Sequence, residues 1–195
     1  MDPFTKAINK LRSDCKIIDN PSFEELREFA KHDETTTEYG SPSYVTKIRS
    51  RSAKFTEIVE DEPTAKQLKA IYDIGEYLKG KELICLDRTM CKEEHHKIGC
   101  RIYVPKEYSK IAYLWGKMLF DPIKGKKPDI TVVSVPDWKE RYVIVDPKSH
   151  TTFIFGSDYA GEVKKANLRL AMYIIKEKED GLGLHAGSKL LRVYN

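Results

Sequence analysis

The chain has 195 residues, of which 41% are hydrophobic and 10% aromatic, a composition that excludes a disordered segment and allows one domain with a sizeable core. Its 34 basic and 30 acidic side chains leave a formal charge of +4, a nearly balanced surface that argues against a polybasic nucleic-acid-binding face. No apolar run is long enough for a bilayer, Met1-Asp2-Pro3-Phe4 does not begin a signal peptide, and four cysteines without such a signal imply reduced thiols in the cytoplasm.

Residues 1–40 read as a polar helical lead-in. Ser22-Phe23-Glu24-Glu25 is a capping box, followed by an apolar face of Phe23, Leu26, Phe29 and Ala30. Asp33 to Ser41 reads as a polar loop and Tyr44 to Ile48 as a short strand. Lys47, Arg49, Arg51 and Lys54 follow in an extended or loop setting. Thr64-Ala65-Lys66-Gln67 opens a helix that ends at Gly80. Glu82–Leu86 and Cys100–Val104 read as strands separated by a long loop. Lys106–Phe120 reads as an amphipathic helix burying Ile111, Leu114, Trp115, Met118 and Leu119.

Asp129–Val135 is β-branched and apolar, the mark of a central strand, and Tyr142–Asp146 and Thr151–Phe155 follow as strands. Glu162–Lys178 is a strong helix with Leu168, Ala171, Met172 and Ile175 at helical spacing, and Leu182–His185 reads as a short return strand. There is no internal repeat or low-complexity linker. Alternating strands and helices predict a single α/β domain over 1–195, layered, with a mixed sheet flanked by helices.

Tyr159-Ala160-Gly161-Glu162-Val163-Lys164-Lys165 carries the most chemistry. Two lysines at a helix start oppose the macrodipole, which favours acidic residues there, whereas anionic ligands bind such ends readily. The lysines are either solvated surface residues or part of an anion site. From Lys165 to Lys178 a helix rises about 20 Å at ~1.5 Å per residue. The stretch from Lys178 to His185, if extended, covers about 23 Å at ~3.3 Å per residue. With Gly181 and Gly183 to reverse the chain, His185 returns level with the lysines.

Cys91, His95, His96 and Cys100 form a rival constellation for zinc, although neither Cys-x-x-Cys nor His-x₃₋₅-His spacing occurs. The bland reading is a polar loop. A nucleophilic Cys91–histidine pair lacks an assignable orienting group. Cys85 reads as a core thiol, and Lys124-Gly125-Lys126-Lys127 as a solvated turn.

The segments Pro128-Asp129-Ile130-Thr131-Val132-Val133, Tyr159-x-Gly161-Glu162-x-Lys164-Lys165 and Leu184-His185-Ala186 resemble, in order and spacing, the ATP-type phosphoenolpyruvate carboxykinases. Arg49-Ser50-Arg51-Ser52-Ala53-Lys54 is similar to the family's Gly-Arg-Ser-Pro-Lys-Asp loop, so the resemblance covers about residues 44–190. It implies an α/β fold like that family's N-terminal domain. It also implies an ATP-driven conversion of oxaloacetate to phosphoenolpyruvate, carbon dioxide and ADP, with Mn²⁺ at the substrate and Mg²⁺ on the nucleotide. By position, Arg51 would bind the substrate carboxylate and Tyr159 would lie beside the substrate. Lys165 and His185 would ligate Mn²⁺, and Lys164 would face the transferred phosphoryl group or the departing carbon dioxide.

These roles suit the chemistry: a planar arginine fork matches a carboxylate, and a metal with a cation stabilises an enolate where its charge develops. Ser50, Ala53 and Phe55 depart from the family's loop, and Ala186-Gly187-Ser188-Lys189 stands where the family has Cys-Ser-Ala-Asn. No Gly-x-x-x-x-Gly-Lys-[Ser/Thr] phosphate loop occurs in these residues. The expectation is therefore a substrate-side N-terminal domain, inactive alone, that needs a nucleotide-binding domain in cis or in trans. The alternatives are a non-catalytic small-anion-binding or interaction module that keeps the fold, and a small zinc domain.

Overall fold

The computed structural model describes residues 2–48 and 52–187. Five helices and nine strands are formed among them: α1 (Pro3–Asp14), β1 (Lys16–Asp19), α2 (Phe23–Phe29), β2 (Glu34–Thr36), β3 (Pro42–Tyr44), β4 (Thr56–Ile58), α3 (Ala65–Leu78), β5 (Glu82–Met90), β6 (Ile98–Pro105), α4 (Ser109–Lys117), β7 (Ile130–Val135), β8 (Tyr142–Asp146), β9 (Thr151–Phe155) and α5 (Ala160–Glu179). Seven strands make one mixed sheet in the order β1-β5-β6-β7-β9-β8-β4, with β7 central as its composition predicts. β5/β6 and β9/β8 pair antiparallel and the other neighbours pair parallel.

Strand alternation divides the core into two layers, because successive side chains point to opposite faces. Ile84, Leu86, Ile102, Val104, Val132, Val143, Val145 and Ile154 face Leu26 of α2, Ile111 and Trp115 of α4, and Val163 and Leu170 of α5. The alternate residues Leu83, Cys85, Tyr103, Val133, Val135, Ile144, Phe153 and Phe155 face Phe4 and Leu11 of α1 and Ile71, Ile74 and Leu78 of α3. Helices cover both faces, which is why β7 and β9 read as nearly unbroken apolar runs.

Both predicted capping boxes are formed: Ser22 with Glu25 opens α2, and Thr64 with Gln67 opens α3. β8 and β9 have their predicted limits, and Gly80 follows α3 at φ +77°. Several boundaries differ. The predicted loop 33–41 contains β2, which pairs antiparallel with β3 as a separate ribbon, and residues 45–48 are irregular where a strand was expected. β5 and β6 each extend past their predicted ends because they pair with each other up to Met90↔Ile98, leaving only a short connection. α4 is shorter than its predicted span, preceded by a 3₁₀ turn over 106–108, and Met118, at its C-cap, is 49% exposed. Leu182–His185 forms no strand. All four cysteines are free. Among the described residues no helix is long and apolar enough to cross a membrane.

Candidate functional site

β9 ends at Phe155, and Gly156 turns the chain at φ +66° into Ser157, Asp158 and Tyr159, the N-cap of α5. Gly156 has no room for a side chain: a Cβ there would lie 2.6 Å from the Glu140 carbonyl oxygen and 3.0 Å from that of Trp138. The turn therefore fixes where α5 begins. Tyr159 is 40% exposed, and its ring folds over Gly161, where a Cβ would come within 2.3 Å of the ring. Lys165 Nζ sits 5.3 Å from the Tyr159 ring centroid, within cation–π range, and 3.3 Å from a carboxylate oxygen of buried Glu162. Lys164 points to solvent. Tyr159, Glu162 and Lys165 thus share one face of the first turns of α5, with Lys164 beside them.

The far end of α5 turns back as the spacing predicts, with a different residue making the turn. Asp180, not glycine, takes the left-handed conformation at φ 47°, and the Gly181 N–H donates to the Ile175 carbonyl. The two glycines serve close approach instead. A Cβ on Gly181 would lie 2.7 Å from the Ile175 side chain, and one on Gly183 2.9 Å from Met172 Cα. The tail therefore passes Ile175 and then Met172, running antiparallel to the helix toward Lys165. His185, two residues further on, is exposed, and no hydrogen bond joins it to Lys165 among the described residues. This explains a mismatch of faces. The core side of α5 is Val163, Ala166, Asn167, Leu170, Ala171 and Ile174, whereas two residues of the predicted stripe, Met172 and Ile175, lie under the tail.

A buried ion cluster stands behind Tyr159. Lys110, on the first turn of α4, lies 2.9 Å from Asp158 and 3.0 Å from Asp33, with side-chain exposures of 3%, 1% and 8% respectively. Lys110 also donates to the Val45 carbonyl at 3.2 Å, and Lys47 Nζ pairs with Asp33. The Asp158 carboxylate accepts the Lys47 N–H at 3.0 Å and the Ile48 N–H at 2.8 Å. Burial opposes the charged form of all three groups, but hydrogen bonds within the cluster outweigh it. Both aspartates are held below the ordinary carboxylate range, and Lys110 is held above the ordinary lysine range. A second buried link joins the same helices, from the Trp115 indole N–H to Asn167 Oδ1 at 3.0 Å.

Arg51 lies outside the described residues, as do Arg49 and Ser50. Sequence reasoning did not pick out Asp33, Lys110 or Asp158, and Glu162 entered only as part of a motif. One signal was available: Lys110 stands four positions before Leu114 and eight before Met118, on the apolar stripe predicted for this helix. The rival Cys/His constellation does not assemble. Cys100 belongs to the core face of β6, where burial pushes its thiol up to about 12, while Cys91 is exposed and His96 pairs with Glu179 at 3.1 Å. Among the described residues no three His, Cys, Asp or Glu side chains gather in a metal-binding group.

Comparison with known proteins adds the family. Residues 15–192 match the family model described as phosphoenolpyruvate carboxykinase. The chain is similar to the phosphoenolpyruvate carboxykinase (ATP) of Aeropyrum pernix, 28% identical over 197 aligned positions covering 99% of this chain and 40% of that protein. It is also similar to the proteins of the same name from Amoebophilus asiaticus and Brucella suis. The first is 21% identical over 74% of this chain and 33% of that protein, and the second 28% over 59% and 24%. The chain thus spans about two fifths of the Aeropyrum relative and less of the others.

Proposed function

The chain belongs to the ATP-type phosphoenolpyruvate carboxykinase family, and on that premise we propose that it supplies the oxaloacetate and Mn²⁺ site of such an enzyme. The reaction is ATP-driven conversion of oxaloacetate to phosphoenolpyruvate, carbon dioxide and ADP, carried out in the cytoplasm. A nucleotide-binding domain, in cis or in trans, would bring Mg²⁺-ATP, and this chain alone would not turn over. The supporting observation is the head of α5, where Tyr159, Glu162 and Lys165 converge while the tail carrying His185 is laid back along the same helix.

In this reading Arg51 binds the substrate carboxylate through its planar fork, and the Tyr159 ring flanks the substrate. Lys164, pointing to solvent beside them, meets the phosphoryl group or the departing carbon dioxide. The donor types fit Mn²⁺: an imidazole nitrogen from His185 and the Lys165 amine, with the neighbouring Glu162 carboxylate adding negative charge. Mn²⁺ held by Lys165 and His185 would supply positive charge where the substrate becomes more anionic during decarboxylation. Glu162, 3.3 Å from Lys165 Nζ, would orient that side chain.

Oxalate, a planar dianion shaped like that enolate, tests the site. In calorimetric titration with Mn²⁺ present, it is expected to bind with a Kd below ~1 mM and to lose about tenfold in Lys164→Ala and in Arg51→Ala. Equal affinity in the parent and both variants, or no binding by the parent, would contradict the reading.

A further inference from the structure

We infer that the groove between α1 and α3 is a binding site for an amphiphilic monocarboxylate, a short acyl chain lying over Gly75 with its carboxylate at Lys6. The groove is on the face of the sheet opposite α5, so the inference stands apart from the functional reading above.

The shape comes from two helices that cover one sheet layer and meet through small residues. α1 brings Ala7 and α3 brings Gly75, and between them lies a cavity of about 190 Å³ that reaches the buried ring of Phe153 on β9. Leu68 and Tyr72 of α3 line it while remaining 39% and 63% exposed. Gly75 is the informative position. A glycine inside a helix is less favourable than an alanine, so it needs a reason. Positive φ is not the reason, and neither is crowding: a Cβ on Gly75 would meet nothing within 4 Å. Gly116 in α4 shows the contrast, since a Cβ there would lie 2.9 Å from Leu86 and from Phe23. What Gly75 preserves is open space in the groove.

The lining sets the chemistry of the occupant. Aliphatic and aromatic walls favour an apolar body. The charged groups at the rim are both cations, Lys6 and Lys10, and no carboxylate is among the lining residues. Lys10 is already engaged, 2.6 Å from Asp14 and 2.9 Å from Glu76. Lys6 is exposed and has no ion-pair partner among the described residues. An apolar chain ending in one negative charge satisfies both features. The volume limits the size, because cofactor pockets usually run from roughly 300 to 1,000 Å³. A second copy of this chain would need a face of about 800 Å² per partner, whereas the large apolar side chains exposed here are Leu68 and Tyr72.

Octanoate titrated into the 195-residue chain, followed by calorimetry, tests the site. It is expected to bind with a Kd below ~1 mM and about tenfold tighter than hexanoate, because two more methylenes leave water. Gly75→Leu fills the groove with a better helix former. It is expected to lose at least about tenfold in octanoate affinity while helical content and Mn²⁺ affinity stay at parent values. Lys6→Gln is expected to weaken octanoate about threefold, the scale of an exposed ion pair, and to leave 1-octanol binding unchanged. No octanoate binding by the parent, or equal binding by Gly75→Leu, would overturn the site. Equal octanoate affinity in Lys6→Gln would overturn the carboxylate assignment. Sedimentation showing a dimer of the parent that Gly75→Leu abolishes would assign the groove to a second copy and overturn the inference.

Discussion

Lys110→Met is expected to cost about 3–5 kcal/mol of folding stability, the range for removing one partner from a buried ion cluster. Methionine fills similar space, so the loss is electrostatic: Asp33 and Asp158 would be left buried 2.9–3.0 Å from where their shared cation had been. The pH dependence gives the test its sign. Both aspartates have folded values depressed below the ordinary range, so their contribution is complete above that range and is lost as pH falls through the folded values. Lys110 is raised, so its contribution is complete below the ordinary lysine range and is lost as pH rises through its folded value. The parent chain should therefore hold a stability plateau around neutrality and weaken in acid. The variant, whose orphaned carboxyls gain by protonation, should close part of the gap as the solution is acidified. Urea unfolding at neutral and acid pH measures this. A cost below ~1 kcal/mol, or a difference independent of pH, would contradict it.

Gly156→Ala is expected to cost about 3 kcal/mol, from two additive causes. Left-handed backbone alone costs a Cβ-bearing residue about 1–2 kcal/mol. The remainder comes from the Glu140 carbonyl, which a new Cβ would approach to 2.6 Å, and that atom belongs to backbone that cannot swing aside. Gly80→Ala provides the comparison, because φ is +77° there and nothing lies within 4 Å. It should lose only about 1 kcal/mol. Equal shifts in urea midpoint for the two variants would show that crowding at the β9–α5 turn plays no part.

What the sequence made legible were features whose cause is local. Ser22 and Thr64 announce their helices because a capping box lies within four residues. β8 and β9 were readable because both faces of each strand are covered. β1 and β4 were missed: they are three or four residues long and exist because β5 and β8 offer them a parallel edge. The helix α5 was found but with its apolar face rotated, since Met172 and Ile175 serve the returning tail rather than the core. The lysine pair could be read directly and the return of the chain from spacing, although Asp180 rather than a glycine makes the turn. The Asp33–Lys110–Asp158 cluster could not, because its members are brought together by tertiary packing across 77 and 48 positions of sequence, as 110 − 33 and 158 − 110 show.

The proposed Mn²⁺ site requires that the returning tail bring His185 close enough to Lys165 for the two to share one cation. Titration of Mn²⁺ into the chain, followed by the paramagnetic resonance of the free ion, tests this most directly. The prediction is one site per chain, weakened at least about tenfold in Lys165→Ala, in His185→Ala and in Gly183→Ala, whose methyl group would press on the Met172 backbone and lift the tail. Mn²⁺ affinity unchanged in both Lys165→Ala and His185→Ala would contradict it.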